Sequence, residues 1–192
     1  MLFTLPNFEH TPPTPDAPNV RKREKRPVKL LNFKSYGHFA KEFPGIHPDF
    51  DYHIINQGTW SMHEFLIFLL REFTGPANLF ITTWSINESV IQTMVGAKQE
   101  GIIKDIHFLF DFRVKKYRPA AFHLADNNFK VLLTSCHAKV TVIRGDKMDI
   151  TILGSANYTR NNRIEAMILM PGKNDATQHQ KWITDKFNSA KS

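Results

Sequence analysis

Cysteine is nearly absent from this sequence. Cys136 stands alone, which excludes an intrachain disulfide and a cysteine-rich zinc site and suits a reducing compartment. Long apolar runs are missing too: the longest, FLIFLL at Phe65–Leu70, is too short to span a membrane and fits a short amphipathic helix. The opening MLFTLPNFEH has no basic segment and no apolar core before Pro6, so no secretory leader is expected and the cytoplasm is the expected compartment. No internal repeat is visible. Acidic residues are outnumbered, 18 against 25 lysines and arginines, and the net charge of +7 favours an anionic partner over an acidic one. Nucleic acid, phosphate esters or an acidic membrane surface would fit, as would a charge that serves only solubility.

What the chain does contain is enough apolar material for a core, 42% of its residues and 16 phenylalanines among them. A length of 192 residues suits one domain with a short appendage. Residues 1–28 read as that appendage, a flexible Pro-rich and basic arm built from HTPPTPDAPN and VRKREKRPVK. Contact with a nucleic-acid backbone and plain solvation are both open to it. Residues 29–192 read as the domain.

TWSMHEFLIFLLREFTG carries a helix with Ser61 and Glu64 in capping-box spacing and Gly75-Pro76 as its stop. ANLFITTWSI reads as a strand, SINESVIQTMVGAKQEGI as a helix capped by Ser85 and Glu88, and IKDIHFLFDF as a strand. A short helix is expected around Pro119–Asn127, strands at FKVLLTSC and EAMILM, and a closing helix over Asn174–Ala190. This alternation predicts an α/β domain with a mixed, mostly parallel sheet flanked by helices, with a hairpin inserted.

That hairpin, HAKVTVIRGDKMDITILGSAN from His137 to Asn157, carries polar residues at its ends. Residues i and i+2 of a strand share a face, so His137 and Lys139 project together, as do Ser155 and Asn157. With the turn near Arg144–Lys147, both pairs reach the same open end. A histidine, a cation, a hydroxyl and an amide at one spot supply what phosphoryl chemistry needs.

HAK…GSANYT resembles the motif of the phospholipase D-like superfamily, a His-x-Lys followed by a spaced aspartate and Gly-Ser-x-Asn. The upstream NLFITTWSINESVIQTMVGAKQEGIIKDIHFLFD is similar to the strand–helix–strand unit of its small, single-motif bacterial nucleases. The likeness covers about residues 50–190. It departs from the pattern in two respects. Arg144 stands at the aspartate's spacing, with Asp146 in the turn as a possible replacement, and the interval from Lys139 to Gly154 is longer than the family's. The chain also carries one motif where the family's active site uses two, and GHFAKEF at Gly37–Phe43 lacks a following Gly-Ser-x-Asn.

The resemblance implies a homodimer sharing one site and a metal-independent reaction with no cofactor. His137 of one subunit would attack phosphorus, and His137 of the other would act as acid and then base. Lys139 and Asn157 would bind phosphate oxygens, Ser155 would support them and Glu165 would orient the imidazole. A surface carboxylate is the alternative for Glu165. Arg113, Lys115, Lys116 and Arg118, following a strand's C-terminal end, read as a nucleic-acid-binding rim or a solvated loop. Trp84 and Ser85 are candidates to line the same cleft. Cys136 reads as a small buried residue, and His53, His63, His107 and His123 lack metal-ligand spacing.

Three function classes compete on this sequence. The favoured one is an endonuclease acting on DNA. A phospholipid hydrolase or transphosphatidylase would need an apolar membrane-facing surface, and no stable membrane association is expected. A catalytically silent nucleic-acid-binding module of the same fold is the third.

Overall fold

The computed structural model describes residues 26–33, 36–159 and 162–190. The arm expected over 1–28 lies outside the described residues up to residue 25. Arg26, where the description begins, is docked on the domain, donating to the carbonyls of Pro48 at 3.1 Å and Pro171 at 2.6 Å. Lys29 places its ammonium 4.5 Å from the Phe50 ring centroid.

The chain runs β1 (Val28–Phe33), α1 (Tyr36–Glu42), β2 (Asp51–Asn56), α2 (Met62–Leu69), β3 (Ala77–Thr83), α3 (Glu88–Gln99) and β4 (Ile103–Asp111). It continues through α4 (Phe112–Tyr117), α5 (Pro119–Asn128), β5 (Lys130–Thr134), β6 (Val140–Gly145), β7 (Asp149–Gly154), β8 (Glu165–Pro171) and α6 (Lys173–Ser189). One eight-stranded sheet has the order β1-β2-β8-β7-β6-β3-β4-β5. The expected mixed α/β sheet flanked by helices is present. Its directions are more evenly divided than expected. The edges β1-β2 and β3-β4-β5 are parallel, and the middle pairings β2-β8, β8-β7, β7-β6 and β6-β3 are antiparallel. The reason is that the hairpin and β8 enter the centre of the sheet, between the strands of the parallel units.

Local chemistry accounts for the elements. The Glu64 carboxylate accepts the Ser61 N–H at 2.7 Å, which closes the start of α2. A π-helical turn at Leu70–Thr74 ends in Gly75 at φ 64, a conformation glycine adopts without strain. The start of α3 differs from expectation. Its cap position is Asn87, because the Ser85 carbonyl is taken by Tyr158 N–H at 3.2 Å. The segment DFRVKKYRP, expected as a loop, forms the short helix α4, whose first turn is held by the Asp111 carboxylate accepting the Arg113 N–H at 3.0 Å.

The two faces of the sheet are covered unequally. The larger core packs α2, α3 and α5 side chains such as Phe65, Met94 and Phe122 against Ile81, Phe108 and Ile152. On the other face Ala176 and Ile183 of α6 pack on Phe80, Leu109 and Val142. No described helix is long and apolar enough to cross a membrane.

Candidate active site

The motif residues sit just outside the strands rather than on them. β6 starts only at Val140, because the Thr82 side chain occupies the ladder beside it. Thr82 Oγ1 accepts the Val140 N–H at 3.0 Å and donates to the Ala138 carbonyl at 3.0 Å. His137 is thereby carried out to an exposed position, with Lys139 half-buried beside it. The Gly154 N–H donates to the Lys139 carbonyl at 3.2 Å, so the two halves of the motif are joined through backbone. Gly154 is required by space. A Cβ there would lie 2.7 Å from Met167 Cβ and 2.9 Å from the Ala166 carbonyl oxygen of β8.

At this open end Lys139 Nζ lies 3.1 Å from Nε2 and 3.2 Å from Nδ1 of His137, and donates to the His137 carbonyl at 2.7 Å. The Trp84 ring is the floor. It meets the imidazole edge-on at 5.5 Å, the Lys139 ammonium at 5.8 Å and the Arg113 guanidinium at 5.1 Å, measured between centres. Partial burial pulls the Lys139 ammonium below its ordinary value. The Cys136 thiol, when ionised, and the Glu165 and Asp111 carboxylates oppose that shift.

Asn157 is placed by its neighbour. Tyr158 is buried, its hydroxyl paired with Thr141 Oγ1 at 2.6 Å, and burial pushes that phenol far above its usual range. A bridge to Ile86 ties the Tyr158 backbone to the segment following β3. Thr83 Oγ1 lies 3.2 Å from Asn157 Oδ1 and 2.9 Å from the Ser85 carbonyl, sharing its proton between them. The Asn157 amide nitrogen is then the group available to donate to an oxyanion. Ser155 Oγ donates to the Glu165 carboxylate and accepts the Ala166 N–H at 3.1 Å. Within one chain, then, Glu165 is engaged with Ser155, while the imidazole's partners are Lys139 and Trp84.

Three residues that hold this end together were not singled out from the sequence. Thr82 and Thr83 are two. The third is Asp111, a 5% exposed aspartate that accepts the Cys136 N–H at 3.2 Å and faces Arg113 Nε at 3.2 Å. It fixes the residue immediately before His137. The signal available was an acid closing the otherwise apolar strand IHFLF, since a buried charge needs partners. Cys136 itself is half-buried against the α6 face.

Arg113, at the start of α4, faces the site over Trp84, whereas Lys115, Lys116 and Arg118 are exposed, with the Lys115 ammonium over the Phe122 ring of α5 and the Lys116 ammonium over Tyr117, each at 5.1 Å. Arg144 and Asp146 lie at the opposite end of the hairpin. Arg144 pairs with Asp149 at 3.3 Å and donates to Thr177 Oγ1 at 3.1 Å, and Asp146 pairs with Lys104. Among the described residues no three His, Cys, Asp or Glu side chains form a cluster that could hold a metal ion.

No protein-family model matches this chain, and no curated protein matches it. Solved structures do. Polyphosphate kinase from Porphyromonas gingivalis superposes with a TM-score of 0.55 at 15% identity, over 88% of this chain and 30% of that one. TrmBL2, an archaeal chromatin protein whose structure shows a novel mode of DNA binding, superposes with a TM-score of 0.51 at 8% identity, over 77% of this chain and 54% of that one. The chain therefore spans less than a third of the first and about half of the second. At these identities the likeness is one of fold alone, a mixed α/β sheet flanked by helices.

Proposed function

We propose that the chain is a phosphodiesterase of phospholipase D-like type, an endonuclease acting on DNA at a site shared by two copies of itself. The observation that carries this reading is the open end of the β6–β7 hairpin. An exposed imidazole stands 3.1 Å from a lysine ammonium, next to the Gly154–Asn157 turn that presents an amide. The basic helix α4 continues from the same site, and TrmBL2, a protein described as binding DNA, is among the structures similar to this chain, which supports the reading.

In the proposed reaction a ring nitrogen of His137 attacks phosphorus, forming a P–N bond as the P–O ester bond breaks. The leaving oxygen takes a proton from His137 of the partner subunit. That second imidazole, now neutral, takes a proton from water, whose oxygen attacks phosphorus and releases the first histidine. Lys139 and Asn157 donate to the non-bridging oxygens in both steps. Two roles for one residue type require two copies, hence the twofold dimer.

The test is hydrolysis of labelled single- and double-stranded DNA, RNA and phosphatidylcholine in excess EDTA, with light scattering on the same sample. The expected result is DNA cleavage by a dimer that chelator leaves intact. A fully active monomer, or activity that returns only with Mg²⁺, contradicts the proposal. Cleavage of phosphatidylcholine alone assigns the site to lipid.

A further inference from the structure

The Asp111 carboxylate holds two neighbours of the site at once. One oxygen accepts the Cys136 N–H at 3.2 Å, which fixes the residue before His137. The other accepts the Arg113 N–H at 3.0 Å and faces Arg113 Nε at 3.2 Å. The strand end that carries the imidazole and the arginine side chain are thus anchored on one buried group. The Trp84 indole joins them a second time. Its centre lies 5.1 Å from the Arg113 guanidinium carbon, 5.8 Å from the Lys139 ammonium and 5.5 Å from the centre of the imidazole. Arg113 differs in this from its neighbours on α4. Lys115 and Lys116 lie over Phe122 and Tyr117 and pair with no carboxylate among the described residues.

With Nε turned to Asp111, the two terminal nitrogens of Arg113 have no hydrogen-bond partner among the described residues, and the side chain is 54% exposed. A guanidinium held at Nε still presents a pair of parallel donors, the arrangement that suits a phosphate. Lys139 lies against the ring nitrogens of His137, at 3.1 and 3.2 Å, so it serves the phosphate under attack. Arg113 makes no hydrogen bond to His137; the indole is what they share. Its anion is therefore a different one, close to the first. Phosphates recur about every 3.4 Å of axis along a stacked strand, so the next phosphate of the same chain is the anion within reach. We infer that Arg113 holds the phosphate next to the one that His137 attacks. The substrate class is then a chain with two or more consecutive phosphodiesters. This deepens the proposed function and rests on it. A lone phosphodiester, such as that of phosphatidylcholine, would leave Arg113 unused. A contact remote from the breaking bond acts equally on ground and transition states, so it lowers KM and leaves kcat alone.

The experiment compares, in EDTA, the dinucleotide TpT, with a single phosphodiester, and the trinucleotide TpTpT, with a second. A third substrate is TpTpT with a neutral methylphosphonate at either linkage. The full chain is assayed as wild type, Arg113→Gln and Arg113→Lys. In both variants Asp111 keeps its bonds from the Arg113 and Cys136 backbone N–H groups, so circular dichroism should be unchanged. Wild type should show a KM for TpTpT at least about tenfold below that for TpT, as for one charge-assisted phosphate contact. Its kcat per cleavable bond should be the same on both. The methylphosphonate trimers should behave like TpT. Arg113→Gln should raise KM about tenfold on TpTpT only. Arg113→Lys keeps the charge without the fork and should fall between.

Methylphosphonate trimers as good as TpTpT assign the gain to the added base and overturn the phosphate site. So does a KM that rises equally on TpT and TpTpT in Arg113→Gln, since an ion pair that only shapes the site would act on both. Equal KM for TpT and TpTpT in wild type overturns it as well. Dissociation constants of the same oligomers, from NMR titration of His137→Ala, decide the matter apart from turnover. The tenfold preference for TpTpT should appear there and vanish in His137→Ala/Arg113→Gln. Failure of wild type to cleave any of these substrates would strike the phosphodiesterase reading, while the titrations still decide Arg113.

Discussion

At the tip of the β6–β7 hairpin, cations meet carboxylates: Arg144 with Asp149 at 3.3 Å, Lys104 with Asp146. At the open end, roughly 17–20 Å away along six residues of strand, Lys139 lies instead against an imidazole of its own chain. The carboxylates nearest it are held elsewhere, Glu165 by the Ser155 hydroxyl and Asp111 by Arg113 and the Cys136 N–H. One end of the hairpin is neutralised, and the other keeps a cation facing an exposed histidine. The charged residues at the two ends are of the same kinds, so their partners, not their types, mark the open end as the candidate for the proposed chemistry. The tip also explains Arg144. It stands where the motif's aspartate is spaced, yet its work is to tie β6 to β7 and α6.

The comparison breaks most sharply at His137. His137→Ala should lower turnover at least ~10³-fold, as for loss of a nucleophile or its base. Because the side chain is exposed, the melting temperature should barely change. A variant with full activity and lost stability would make this end a plain hairpin terminus like the tip.

Lys139→Met comes next, with a loss on the order of 10²–10³-fold in rate. Its stability effect has a sign fixed by burial. Folding depresses the Lys139 value below 10.5, so between that depressed value and 10.5 the unfolded chain binds more protons and wild-type stability rises with pH. Below that window the charge is a folding penalty. The methionine variant should therefore melt at the same or a higher temperature than wild type at neutral pH, with the gap closing as pH climbs through the window. Thermal melts across alkaline buffers check this, and a gap that widens with pH contradicts it.

Asp111→Asn sharpens the contrast from the supporting side. It removes the charge facing Arg113 and turns an amide toward a backbone donor, at about 1–3 kcal/mol for the unsatisfied buried groups. A melting temperature lower by several degrees is expected. Turnover should fall about tenfold, because the residue before His137 is displaced. An unchanged rate would limit Asp111 to stability. Arg144→Ala is the smallest effect on chemistry. Turnover should stay within about twofold, while loss of the ion pair costs about 1 kcal/mol, visible as a few degrees in melting.

Much of the fold was legible because periodicity and caps agree. The Ser61–Glu64 spacing is matched by the hydrogen bond from Ser61 N–H to the Glu64 carboxylate, and β3, β4, β8 and α6 fall where their apolar patterns put them. The cap at Ser85 misled because a tertiary bridge from Tyr158 takes its carbonyl, which spacing within the segment cannot reveal. Helix α4 was hidden because a basic run has no apolar period, and what starts it is the Asp111 side chain. The antiparallel centre of the sheet depends on β8 pairing with both β7 and the distant β2, a choice no local pattern records.

At the site, strand period and hairpin geometry led to the expectation of His137, Lys139, Ser155 and Asn157 at one open end. The structure puts all four just outside β6 and β7, with the two halves joined by the Gly154 N–H on the Lys139 carbonyl. The threonines and the aspartate that hold it are common residues in unremarkable positions, and only their hydrogen bonds give them a role.

The most direct test of the account is to trap the covalent intermediate. A labelled oligonucleotide is mixed with wild-type protein in EDTA, quenched in alkali to preserve the acid-labile P–N bond, and the peptides are mapped by mass spectrometry. The account predicts a phosphoryl adduct on His137, acid-labile and absent from His137→Ala. Cleavage that proceeds with no adduct on His137, or with the adduct on another residue, would contradict it.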